Sequence, residues 1–269
     1  MISDSVMIMM AVQAAAGLLL PAALLLVLHK RYGCAYKPFF VGCAVFLVFA
    51  LVLESLVHRL VLGGGAGETI RSSRWLYACY GALMAGLFEE LGRYAAFRTV
   101  LRRELSDGRT ALMYGAGHGG FECFVLLVSA QVGNLLLASA YRSSGMDAVL
   151  ALAGGREEYA RQLIDAILAL SPAAYLLGIA ERCIAITLHI ALSVIVWLAA
   201  RDDVRRRGFL ALAVFLHFAA DFVTVVLGGS IPPLWMEFDL AVVVLCVALL
   251  ARALWRRYAQ TGGEAALET

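Results

Sequence analysis

The chain has 269 residues, 62% of them hydrophobic and 16% charged, with a formal net charge of +2 and a mean hydropathy of +0.83. Soluble domains carry about 25% charged residues, so this composition excludes a water-soluble globule and a disordered chain, and the small net charge gives no basic footprint for nucleic acid. Cys34, Cys43, Cys79, Cys123, Cys183 and Cys246 stand singly, without CxxC spacing, which argues against a disulfide scaffold and leaves an all-α polytopic membrane helix bundle, expected as a single integral-membrane domain over 1–269.

A spanning helix needs about 20 mostly apolar residues, and seven segments qualify, near 5–28, 38–60, 75–97, 110–139, 172–199, 208–228 and 233–255. The first follows MISDSV, which carries Asp4 and no Lys or Arg, while His29, Lys30 and Arg31 come after it. The basic n-region of a signal peptide is missing, so the segment reads as an uncleaved span with its N-terminus outside. Pro21 lies within it and predicts a kink. Pro38, Pro172 and Pro232/Pro233 stand at later helix starts, where a missing N–H costs nothing.

On the second segment, Glu54 and His58 form an i,i+4 pair near the outer interface and read as snorkelling side chains. The third carries FEELGRY, with Glu89, Glu90, Arg93 and Tyr94. The fourth carries GHGGFE, with His118 and Glu122 on one face. Gly115, Gly117 and Gly120 match G-x-G-x-x-G, but no strand precedes them as a dinucleotide loop requires; they predict close approach of another backbone to His118. Gln131 and Asn134 are expected to hydrogen-bond between helices. The stretch 141–171 reads as a long loop containing an interfacial amphipathic helix with Tyr159, Leu163, Ile167 and Leu170 on one face, either covering the bundle or gating a site. The fifth segment carries Glu181, Arg182 and His189, and the sixth carries His217 and Asp221 four residues apart. Residues from about 259 to 269 read as a disordered tail.

Lys30, Arg31, Lys37, Arg98, Arg102, Arg103, Arg109, Arg201, Arg205, Arg206, Arg207, Arg252, Arg256 and Arg257 all fall on one set of loops. The positive-inside rule puts that set in the cytoplasm. This predicts about seven transmembrane helices, an outside N-terminus and a cytoplasmic C-terminus in the cell (plasma) membrane.

Charged groups inside spans are expensive and mark function by default. At 1.5 Å per residue, Glu90, His118, His189 and His217 lie about 12–15 Å from the cytoplasmic ends of their helices, and Glu122 and Asp221 about 18–20 Å. Four helices of alternating direction therefore place these groups in one layer. A lone intramembrane histidine is often only an interhelical hydrogen bonder, but a layer built from four helices points to a site.

EE-x-x-R on one span, HGGFE on the next, a single His on a later span and H-x-x-x-D on the one after resemble the YhfC family of intramembrane proteases. That family sits in a wider group with the CAAX-protease and bacteriocin-processing (CPBP) enzymes, PrsW and the APH-1 subunit of γ-secretase. The resemblance covers about 75–228, the expected catalytic core, and implies an intramembrane endopeptidase acting on membrane-embedded or membrane-proximal protein or peptide substrates in the lipid bilayer. It implies site residues Glu89, Glu90, Arg93, His118, Glu122, His189, His217 and Asp221. Asp221 departs from the Asn found there in many CPBP enzymes, which makes a metal ligand more conceivable.

Peptide hydrolysis needs an activated water, a stabilised oxyanion and a proton for the leaving amine. Glu89 or Glu90, held by Arg93, is the candidate base, with Glu122, His189, His217 and Asp221 in support. The same residues admit a zinc reading in which His118, His189 and His217 are ligands and one position stays open for water. No HExxH helix is present, and the sequence favours the metal-independent glutamic mechanism. A transporter or small-molecule-binding subunit with a midplane polar site, or a non-catalytic APH-1-like scaffold, are the readings from other classes. The first predicts an internal repeat that the sequence lacks, and the paired glutamates argue against the second.

Overall fold

The computed structural model describes residues 2–201 and 208–258, so the expected tail and the basic residues Arg205, Arg206 and Arg207 lie outside the described residues. The described residues form helices and no strand. They are α1 (Asp4–Tyr32), α2 (Lys37–Gly63), α3 (Gly65–Ser72), α4 (Arg74–Arg98), α5 (Arg109–Leu152), α6 (Glu157–Ala169), α7 (Pro172–Ala200), α8 (Gly208–Leu227) and α9 (Pro233–Tyr258). Pro38, Pro172 and Pro233 stand at the first turns of α2, α7 and α9, and Pro21 is buried inside α1.

Among the described residues, six helices are long and apolar enough to cross a membrane: α1, α2, α5, α7, α8 and α9. The seventh segment expected from the sequence is α4. Its 25 residues suffice to cross at 1.5 Å per residue, but it carries Glu89, Glu90 and Arg93 and so does not join the apolar six. The protein is an integral, multi-pass membrane protein.

Two segments depart from the expected layout. The fourth expected span, 110–139, continues as helix to Leu152, with a π-helical stretch at Phe124–Ser129 and a break at Gly145, whose φ of 71° lies in the left-handed region that glycine tolerates. The stretch 141–171 is therefore mostly helix rather than a long loop. In α6 the buried face is Ala160, Ile164 and Ile167, while Tyr159 and Leu170 are exposed. Of the four residues expected on the apolar face, Ile167 alone is buried; a small alanine at 160 allows closer packing than the bulky tyrosine beside it.

The chain forms two compact units. One comprises the residues up to Ala22 with Cys123–Arg182. Its core holds Ile2, Val6, Met10, Ala138, Val149, Ala160, Ile164, Ile167 and Tyr175. Gln131 Nε2 donates to Gln13 Oε1 (2.6 Å), and Gln13 Nε2 donates to the Tyr175 carbonyl (3.1 Å), tying α5, α1 and α7 together. Asn134, expected to bridge helices, instead donates to Gln131 on its own helix.

The other unit comprises Ala23–Glu122 and the chain from Cys183 onward. Its axis is the second half of α7, where Ala191–Ala200 is buried without interruption. Around it pack Phe97 from the end of α4 and Leu101 just after it, Tyr114 from α5, Ala213 and Ala220 from α8, and Val244, Val247 and Ala251 from α9. Glycines set the spacing. A Cβ on Gly115 would lie 2.6 Å from Ile190 Cα and one on Gly119 3.0 Å from His189 Cβ, so α5 and α7 meet backbone to backbone. A Cβ on Gly117 would collide with the Phe39 carbonyl, so α2 closes on the opposite side of α5.

Candidate active site

The helical pitch of α4 explains how one helix organises the site. Neighbouring residues on a helix diverge by about 100°, so the adjacent Glu89 and Glu90 face different partners. Glu89 Oε2 lies 2.8 Å from His118 Nε2 on α5. Glu90 Oε1 lies 2.8 Å from His217 Nδ1 on α8. Arg93, one turn further on, pairs with Glu90 (Nε to Oε2, 3.4 Å) and turns its guanidinium to α7. There Nη1 donates to the His189 carbonyl (2.9 Å) and to Ser193 Oγ (3.0 Å), and Nη2 lies 3.2 Å from His189 Nδ1.

The remaining contacts close the network. His189 Nδ1 is 3.8 Å from Glu89 Oε2, and its Nε2 is 2.6 Å from Glu122 Oε2. His217 Nε2 is 3.5 Å from Asp221 Oδ2. The structure thus joins Glu89, Glu90, Arg93, His118, Glu122, His189, His217 and Asp221 in one connected cluster, all within the second unit. Glu90, Arg93 and His118 are 0% exposed, Glu89, His189 and His217 are buried, and Glu122 and Asp221 are partly open. Elsewhere on α7, Arg182 pairs with its neighbour Glu181.

Hydrogen-bond chemistry assigns the His189 tautomer. Arginine only donates, so Nδ1 accepts from Arg93, and Nε2 lies 2.6 Å from Glu122 Oε2. His217 stands between two carboxylates and offers a nitrogen to each. Aromatic rings line the His118 side: Phe46 meets His118 edge-on at 5.2 Å, and Tyr114 stacks on it at 5.9 Å.

One donor atom from each of Glu89, His118 and His189 lies within 4.8 Å of the other two. A carboxylate with two imidazoles is a donor set that catalytic zinc takes. The surroundings fit a cation. Four carboxylates converge on a buried site where Arg93 is the permanent positive charge, and unbalanced buried charge is costly. His189 Nε2 approaches Glu122 at 2.6 Å, the carboxylate contact that metal-bound histidines make with their second nitrogen, and a cation held at Nδ1 would displace the Arg93 Nη2 contact made there. His118 Nδ1 is buried without a hydrogen-bond partner. Two members of the three-histidine zinc reading, His118 and His189, lie in this group with Glu89, while the ring nitrogens of His217 face Glu90 and Asp221.

Sequence reasoning missed Ser193 and Tyr114. Ser193 lies four residues after His189 and Tyr114 four before His118, so both share a face with a site histidine, and their spacing was the available signal. The sequence reading also places Glu54 at the outer interface, whereas its side chain is buried. A π-helical stretch, Phe46–Glu54, ends at that residue.

Residues 16–242 match the family model described as YhfC intramembrane metalloprotease. The chain is also 34% identical over 221 residues to "Uncharacterized membrane protein YhfC" of Bacillus subtilis (strain 168), covering 81% of this chain and 83% of that protein. No solved structure matches the chain. The family's description names a metalloprotease, so it does not support the metal-independent preference drawn from the sequence. The chain belongs to the YhfC intramembrane metalloprotease family.

Proposed function

We propose that the chain is a zinc-dependent intramembrane endopeptidase that cleaves membrane-embedded or membrane-proximal peptide bonds. The observation that carries this reading is the buried convergence of Glu89, His118 and His189 within 4.8 Å. Those three residues would hold the metal, with Glu122 fixing the ring orientation and tautomer of His189. Zinc in such a set supplies a Lewis acid for the scissile carbonyl and the hydrolytic water.

The chain's own groups do the proton work. Glu90, held by Arg93 and His217, takes the proton from water at its carboxylate and relays it to His217 Nδ1, 2.8 Å away. His217 passes a proton from Nδ1 toward the leaving amine. Asp221, partly open, holds His217 Nε2 and sets its ring orientation. Arg93 binds the α7 backbone beside His189 and keeps the base and the donor triad in register.

Glu90→Gln tests the assignment. Zinc content should be unchanged, while hydrolysis of single-span peptides co-reconstituted in proteoliposomes should fall about 10²–10⁴-fold, the usual worth of a general base. Equal activity in the variant would remove Glu90 from the chemistry. A wild-type protein that cleaves no member of a broad peptide panel would favour the scaffold or transporter readings.

A further inference from the structure

Hydrolysis consumes one water per bond cut, yet the side chains at the centre of this site are buried in a membrane protein. Polar groups in spans face one another or a watery cavity, so the supply route should be marked by polar residues that the chemistry does not use. One such file exists. Glu54 Oε1 lies 3.1 Å from His58 Nε2, and His58 Nδ1 lies 3.0 Å from Tyr80 Oη. The Glu54 side chain is 11% exposed and that of His58 31%. The file thus runs from a half-open histidine at the end of α2 and a tyrosine near the start of α4 to a buried carboxylate.

The inner end points at the site. The residues of the π stretch that are buried are Phe46 and Glu54, and Phe46 packs against His118. Phe49, between them, covers Gly92 on α4, where a Cβ would lie 2.6 Å from its ring. The π stretch packs along α4, the helix that carries Glu89 and Glu90. π stretches recur at functional sites, and this one turns a carboxylate inward.

Resting on the protease reading, we propose that Glu54, His58 and Tyr80 line the path by which water enters the active site, with Glu54 as a positioning residue at its inner mouth. Glu54 touches no reacting atom in this assignment. It orders incoming water at its carboxylate, and His58 and Tyr80 hold that carboxylate in place.

Two measurements in proteoliposomes test this. In the first, Glu54→Cys is treated with a small charged methanethiosulfonate and mapped by peptide mass spectrometry. Position 54 should be modified in the folded protein, at least about tenfold faster than a cysteine at Leu47 (Leu47→Cys), an exposed apolar position in the middle of α2, because a charged reagent needs water to arrive. In the second, Glu54→Leu should lower kcat at least about tenfold with KM within about twofold and zinc unchanged, and Glu54→Gln, which still binds water, should restore most of the loss. Protection of position 54, or wild-type kcat in Glu54→Leu, would overturn the proposal. Failure of the protease reading shows separately: wild-type protein would then lack zinc or activity, while the labelling would still report whether water reaches Glu54.

Discussion

Arg93 shows how much of this site depends on one side chain. It is fully buried, pairs with Glu90, and donates to the His189 carbonyl, Ser193 and His189 Nδ1. Arg93→Met would leave Glu90 buried without its cation, a loss of about 3–5 kcal/mol for a broken buried pair. Arg93→Lys keeps the charge but not the planar fork that reaches several acceptors at once. Both variants should show a lowered thermal midpoint in detergent, with the lysine variant intermediate; an unchanged midpoint in Arg93→Met would show that the network does not hold the helices. At this scale, much was legible from spacing. Glu89, Glu90, Arg93, His118, Glu122, His189, His217 and Asp221 announce themselves because charged groups in apolar runs are rare. Their pairing was not legible. Nothing in EE-x-x-R says which glutamate meets which histidine, because that depends on how α4 is rotated between α5 and α8. Ser193 and Tyr114 escaped notice because hydroxyls are common in membrane helices.

At the scale of elements, the glycines of α2 and α5 decide where His118 sits. A Cβ on Gly42 would collide with the Tyr114 carbonyl and lie 2.7 Å from His118 N, both in helix backbone that cannot yield. Gly81, on α4, has nothing within 4 Å of its would-be Cβ. Gly42→Ala should therefore destabilise by about 1–3 kcal/mol, as overpacking does, while Gly81→Ala should be neutral or slightly stabilising through helix propensity. Thermal melts of the pair check this, and equal midpoints would contradict the close α2–α5 contact. The sequence predicts a tight approach at His118 from Gly115, Gly117 and Gly120; the structure has it at Gly115 and Gly117 and adds Gly119 and Gly42. The π stretches were invisible, because a single inserted helical residue leaves apolar composition unchanged. Glu54, which reads from the sequence as a snorkelling group near the outer interface, has a buried side chain at the end of one such stretch. The face of α6 was misread for a related reason: periodicity weighs Tyr159 above Ala160, whereas packing preferred the smaller side chain.

At the scale of the whole molecule, composition alone established a multi-pass helical membrane protein, and six helices are apolar enough to span. The seventh, α4, falls short because it carries the chemistry. A hydropathy criterion thus under-weights the helix that matters most to the site. We propose that α4 spans with the others and that the basic loops face the cytoplasm, as the bias of Lys and Arg indicates. The metal centre is tested by the metal content of detergent-purified protein never exposed to chelator, compared among wild type, a His118→Ala/His189→Ala double variant and His217→Ala. Wild type and His217→Ala should each carry about one zinc per chain, and the double variant none. A wild type without metal, or zinc lost only with His217, would contradict the Glu89, His118 and His189 centre.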